Sequence, residues 1–140
     1  MKSSTITHAL IIREEPLAKI LAGKKTWEIR GSATKRRGRI ALVQSKSRLV
    51  VGTAELVDVR GPLSLAELRD ASHRSQFRPS ELPYRSTFAW VLCGARRLRN
   101  PVPYEHPPGA VIWVKLASSV RRRLPVSRPY DRRIRTRCIG

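Results

Sequence analysis

Hydrophobic positions along this chain fall into short runs with two different periods. Thr5 to Ile12 is rich in β-branched and apolar residues and predicts a strand. Glu14 to Ala22 carries acids at its start, Pro16 in its first turn and Gly23 just beyond, which are the signals of a helix beginning and ending. Leu17, Ile20 and Leu21 share one face of that helix and are expected in the core. Arg39 to Gln44 and Leu49 to Arg60 read as two strands joined by Ser45-Lys46-Ser47-Arg48, and Gly52 within the second suggests a bulge or a close backbone approach. Ser64-Leu65-Ala66-Glu67 is a capping-box pattern that opens a short helix ending near Ala71. Thr87 to Leu98 predicts another long strand, and the prolines between Pro101 and Gly109 predict an extended loop. Ala110 to Leu116 is the last strand, with Trp113 at its centre.

Five or six strands with few helices and no regular β-α alternation argue for an α+β chain built on a small, mostly antiparallel β-barrel with peripheral helices. Residues 1–117 form that domain in this reading. From Ser118 onward the composition changes to an Arg-rich tail, 118–140, which carries +7 against +12 for the rest of the chain. So little apolar content predicts a tail ordered only on a partner.

The most informative segment is Gly23-Lys24-Lys25-Thr26-Trp27-Glu28-Ile29-Arg30, which alternates like a strand. In a regular strand Lys25, Trp27 and Ile29 share one face, and Thr26, Glu28 and Arg30 share the other. Charges on both faces of so short a strand suit one that lines a polar cleft; a solvated edge strand with ordinary ion pairs is the plainer alternative.

Charge sharpens the picture. The 140 residues include 29 Lys and Arg against 10 acids, a net charge of +19. A balance so one-sided points to a polyanion, because each neutralised phosphate releases condensed counterions. No long apolar run and no basic amphipathic helix point to a membrane. The N-terminal residues lack the apolar stretch of a signal peptide, and two widely spaced cysteines, Cys93 and Cys138, form no metal-binding spacing. The expectation is a cytoplasmic monomer with no cofactor and no metal.

Basic residues cluster at Arg30, Lys35, Arg36, Arg37, Arg39, Lys46 and Arg48 with no acid among them, and the hydroxyl of Ser45 lies in the same stretch. Guanidinium forks match phosphate oxygens, so these residues, with Arg121, Arg122 and Arg123 of the tail, are candidate nucleic-acid ligands. Trp27, Tyr84, Trp90, Tyr104 and Trp113 are the aromatics considered for stacking on bases. Trp90 and Trp113 lie among Val and Leu and are expected in the core, which leaves Trp27 and Tyr104 as the preferred stacking residues.

Taken together, these residues resemble the ASCH domain family (activating signal cointegrator homology), a branch of the PUA-like superfamily. The likeness rests on the 23–30 motif, on Arg37-Gly38-Arg39-Ile40-Ala41, on Gly52-Thr53-Ala54-Glu55-Leu56-Val57 and on Pro103-Tyr104-Glu105-His106-Pro107-Pro108-Gly109-Ala110-Val111-Ile112-Trp113, and spans about residues 8 to 117. It implies a PUA-like barrel of five or six strands with two or three peripheral helices. It also implies a cleft, lined by the motif strand, that takes RNA or a nucleotide-like ligand. Some family members cleave RNA, and one bacterial branch removes an acyl group from acetylated cytidine with a Lys and a Thr three residues later. Here Lys25 matches that Lys, but the Thr position is Glu28, and Thr26 falls on the wrong face of a strand. Three functions therefore stand open: an RNA-binding domain with metal-independent ribonuclease activity, a non-catalytic nucleotide or RNA-binding module, and an acylated-nucleoside amidohydrolase. For cleavage, Glu28 would be the base, Lys25 and Arg30 would stabilise charge and His106 would be the acid.

Overall fold

The computed structural model describes residues 6–125. One six-stranded sheet curls into a half-barrel, with the strands β1 (His8–Ile12), β2 (Trp27–Arg30), β3 (Gly38–Gln44), β4 (Leu49–Arg60), β5 (Phe88–Pro103) and β6 (Trp113–Lys115). Their spatial order is β2-β5-β4-β3-β1-β6. Only β1 with β3 is parallel; the other neighbours are antiparallel. The α+β, mostly antiparallel architecture expected from the sequence is therefore the one observed.

Alternation along the strands sends side chains to two cores. Ala9, Ile11, Ala41, Val43, Val50, Val102 and Tyr104 gather on one face, where Leu124 also packs. Leu10, Ile12, Ile40, Leu42, Ala54, Leu56 and Trp90 gather on the other. There the helix α1 (Glu14–Leu21) inserts Leu17 and Ile20, both 1% exposed. Gly52 is where α1 comes closest to the sheet: a Cβ there would lie 2.6 Å from the Leu21 side chain and 2.7 Å from the Arg96 carbonyl. A third cluster, around Trp27, Val57, Leu63, Leu68 and Val91, lies under α2 (Leu65–Asp70), whose capping box has both of its hydrogen bonds.

Several boundaries differ from the sequence expectation, among them the last strand, which is confined to Trp113–Lys115. The motif strand begins at Trp27 rather than at Gly23, because α1 ends in a left-handed turn. Gly23 adopts φ +78°, its amide donates to Ile20 O at 3.0 Å, and the Lys24 amide donates to Lys19 O at 2.9 Å. This paired arrangement satisfies the last carbonyls of the helix. β5 runs on to Pro103, because Val102, between two prolines that lack amide donors, still pairs with Val50 of β4. Two further helices, α3 (Ser72–Ser75) and α4 (Ser118–Arg121), are single turns too short to leave a periodic signature, so four short helices occur among the described residues where two or three were expected. Leu124 carries the packed core past residue 117, where the composition changes.

Candidate functional site

β2 and β6 are the two ends of the sheet order, and β1 lies next to β6, so the half-barrel leaves a seam between β2 and β1. Arg30 bridges it: its Nη2 donates to the carbonyl of Ile11 on β1 at 2.6 Å and to Glu28 Oε2 at 3.0 Å. The Arg30 guanidinium also sits 5.5 Å from the centre of the Trp90 ring, and Trp90 itself stacks on Trp113. Lys25 approaches Glu28 from the other side, with Nζ 3.9 Å from Oε1.

Lys25 reaches this position because it lies in the turn after α1, not in the strand. A residue in β2 at that parity would point away from Glu28; the backbone reversal at Gly23 frees Lys25 from that alternation. Its Nζ donates to the Ser75 carbonyl at 2.6 Å. Lys25 and Glu28 are each only 6% exposed. Burial pulls the Lys25 pKa from its ordinary 10.5 down to about 8, with Lys19 and Arg30 adding to the fall and Glu28 opposing it.

These three charges form the floor of a cavity of about 480 Å³. Ser45, Ser75 and Gln76 contribute polar groups, while Arg13, Glu15 and Lys19 stand on the α1 side. Phe77, Tyr84 and Val111 complete the lining. A cavity of this size suits a ligand of nucleotide dimensions.

The remaining candidates are placed differently. His106 does not line the cavity. Its two ring nitrogens hydrogen-bond to the Tyr104 hydroxyl at 2.8 Å and to the Ala110 carbonyl at 2.9 Å, so it braces the loop that carries Val111. Trp27 and Tyr104, the preferred stacking residues, are both buried. Trp27 packs against Val57, Leu63 and Leu68, and Tyr104 belongs to the first core, so neither offers a base an open ring face. Period-2 alternation decides this for Trp27, whose neighbour Glu28 takes the cavity side. Thr26 also lies outside the cavity lining; its amide donates to Arg74 O and its carbonyl accepts from Leu92.

Within the basic stretch, exposure separates two groups. Lys35, Arg37, Lys46 and Arg48 are exposed, as are Arg122 and Arg123. Arg36, Arg39 and Arg121 are half-buried. Arg36 sits 5.1 Å over the Trp113 ring and donates to His8 Nδ1 at 3.1 Å. Burial, with Arg36, Lys115 and Arg121 nearby, lowers the His8 pKa. Arg39 Nη2 donates to Thr53 Oγ1 at 3.2 Å. Ser45 alone of the predicted binding residues in 35–48 lines the cavity.

The ASCH domain family model matches residues 10–102, well over half of the chain. The chain belongs to the ASCH domain family. Among solved structures, the ASCH protein of Zymomonas mobilis matches with a TM-score of 0.62 at 18% identity, covering 82% of this chain and 90% of its own. Two substituted forms of the same Zymomonas mobilis protein match at the same TM-score and identity, covering 83% and 86% of this chain and 94% and 95% of theirs. At that identity the likeness concerns the fold. No curated protein matches the chain.

The placement of two cavity residues escapes a reading of the sequence, although Tyr84 is among the aromatics considered for stacking. Phe77 and Tyr84 lie in an irregular segment with no periodicity, more than 45 residues from the motif, and only the tertiary fold brings them to it. The Gly23 stop signal, by contrast, was present in the sequence and would have put Lys25 in a turn.

Proposed function

We propose that this ASCH domain binds RNA and cleaves it in the cavity floored by Lys25, Glu28 and Arg30. One observation carries the reading: one buried and one partly buried cation converge on one buried carboxylate at the floor of an accessible cavity, in a chain of net charge +19. Perturbed, desolvated groups in a cleft are where catalytic chemistry concentrates. The charge supports a polymeric polyanion over a free nucleoside, for which such a surface has no use.

The parts suit intramolecular phosphoryl transfer. The 2′-hydroxyl of the bound nucleotide gives its proton to Glu28, and its oxygen bonds to phosphorus. The bond from phosphorus to the 5′-oxygen breaks, and charged Lys25 gives a proton to that leaving oxygen. Products are a 2′,3′-cyclic phosphate and a 5′-hydroxyl. Arg30 stabilises the charge that builds on phosphorus in between. A pKa of about 8 leaves Lys25 charged at neutral pH yet able to give up its proton, which suits it to the acid role in place of His106.

A non-catalytic module is the second reading, favoured by one specific observation. Lys25 and Arg30 each spend a hydrogen bond on a backbone carbonyl, of Ser75 and of Ile11, and so also fasten the cavity walls. Incubating end-labelled single-stranded RNA with the protein in EDTA separates the two. The cleavage reading expects cyclic-phosphate ends from the wild type and a loss of about 100-fold or more in Lys25→Ala with RNA affinity little changed. RNA that is bound but left intact by the wild type assigns the non-catalytic role. Full cleavage by Lys25→Ala overturns the assignment of this site, and absence of RNA binding overturns the whole reading.

A further inference from the structure

Among the described residues, three large hydrophobic side chains are exposed: Phe77 at 40%, Tyr84 at 44% and Val111 at 74%. All three line the cavity that holds Lys25, Glu28 and Arg30. Scattered single apolar residues on a surface need no explanation, but the convergence of all three on one charged cavity does.

Two of them stand on anchored backbone. The Ser75 hydroxyl donates to the Phe77 carbonyl at 3.1 Å, and the Thr87 hydroxyl donates to the Tyr84 carbonyl at 3.1 Å. Both hydroxyl residues are buried, at 1% and 0% exposure, so each aromatic hangs from a backbone fixed from inside. Tyr84 is set further by Gly31, the residue after Arg30. A Cβ on Gly31 would meet the Tyr84 ring at 2.8 Å, so the ring lies where only a glycine leaves room. Exposed ring faces carried on an anchored backbone have less freedom to lose on contact, which lowers the ordering cost of binding.

The occupant must combine a flat apolar face for the aromatics with polar groups for the floor and negative charge for the cationic surroundings. A nucleobase on its sugar-phosphate chain has all three. A base paired within a duplex keeps both faces covered by its neighbours and cannot present one to Tyr84. We infer that the cavity takes one unstacked nucleotide of single-stranded or looped RNA, its base stacked against Tyr84 and Phe77 and its polar edge toward Lys25, Glu28 and Arg30. Arg13, exposed at the same cavity, stands available for the adjoining phosphate. The inference rests on the RNA-binding reading and adds to it the strand state of the RNA and the residues that select it.

The test compares fluorescein-labelled 12-nucleotide RNA, single-stranded and annealed to its complement, at one salt concentration. The wild type binds the single strand more tightly. Tyr84→Ala and Phe77→Ala each weaken single-strand binding by about tenfold, and the ratio of single-strand to duplex affinity falls toward one. Tyr84→Phe, which keeps the ring, keeps the preference. Gly31→Ala, folded as judged by its thermal midpoint, reproduces the loss because it displaces the ring. Equal binding of single strand and duplex by the wild type overturns the inference and leaves RNA binding standing, as does a preference untouched by Tyr84→Ala and Phe77→Ala. A wild type that binds neither RNA removes the RNA reading itself, and this inference with it.

Discussion

Lys25 is the residue on which the account turns, and its protonation is coupled to stability. Its pKa of about 8 in the fold lies below the roughly 10.4 of an unfolded lysine, so between those values the unfolded chain binds more protons than the native one. Stability attributable to Lys25 therefore rises with pH across that window and is flat below pH 8, where both states are charged. The full span is about 3 kcal/mol as an order of magnitude. Urea melts at pH 7.5 and pH 10 should show the rise in the wild type beyond that in Lys25→Met, which has no such group; identical pH dependence in the two proteins would mean that Lys25 is not buried as described. The same residue shows what was legible in the sequence. That Lys25, Glu28 and Arg30 line one cavity could be read from the motif. The route by which Lys25 joins them could not be read from strand alternation, because the left-handed turn at Gly23 takes it out of the strand. His106 shares the proline-rich stretch of the family likeness, yet its hydrogen bonds to Tyr104 and Ala110 spend both ring nitrogens on the loop.

At the scale of elements, α1 connects core and site. Leu17 and Ile20 anchor it in the core cluster around Leu10, Leu42 and Trp90, and its C-terminal turn delivers Lys25 to Glu28. Leu17→Ala should cost roughly 2–5 kcal/mol, read as a lower urea midpoint, because it removes a fully buried side chain that α1 cannot collapse to replace. The elements with clear periodicity, namely α1, β3, β4 and the first part of β5, lie where the sequence places them. Elements fixed by tertiary contact do not: β6 is held to three residues by its pairing with β1, and the final residues of β5 pair despite their prolines. Burial of Trp27 and Tyr104 belongs to the same class, since aromatic residues look alike in sequence whether they face solvent or core. The exposed pair, Phe77 and Tyr84, sits in a segment without periodicity, where only the fold reveals a face.

For the whole molecule, charge is the dominant fact. Cations at Lys35, Arg37, Lys46, Arg48, Arg122 and Arg123 are exposed to meet phosphates, although Arg37 also donates to the Thr34 and Arg36 carbonyls, whereas Arg36 and Arg39 are half-buried and engaged with His8, Trp113 and Thr53. The sequence of residues 126–140, which lie outside the described residues, adds five arginines. RNA affinity should therefore fall steeply with salt. Because Leu124 belongs to the core, the informative truncation removes 126–140 rather than 118–140. That truncation should flatten the log-log salt slope by up to about 3.5, at roughly 0.7 per phosphate contact on a single strand. An unchanged slope would show that those arginines do not touch the RNA.

Whether RNA enters the cavity, rather than only lying on the basic surface, is tested most directly by titrating ¹⁵N-labelled protein with a short single-stranded RNA and following each backbone amide. The account predicts that the largest shifts fall on residues 25–31, 75–77, 84 and 110–112, the segments that build the cavity, and that they persist at salt concentrations that suppress surface contacts. Shifts confined to the exposed basic loops, with the cavity segments silent at saturation, would contradict it.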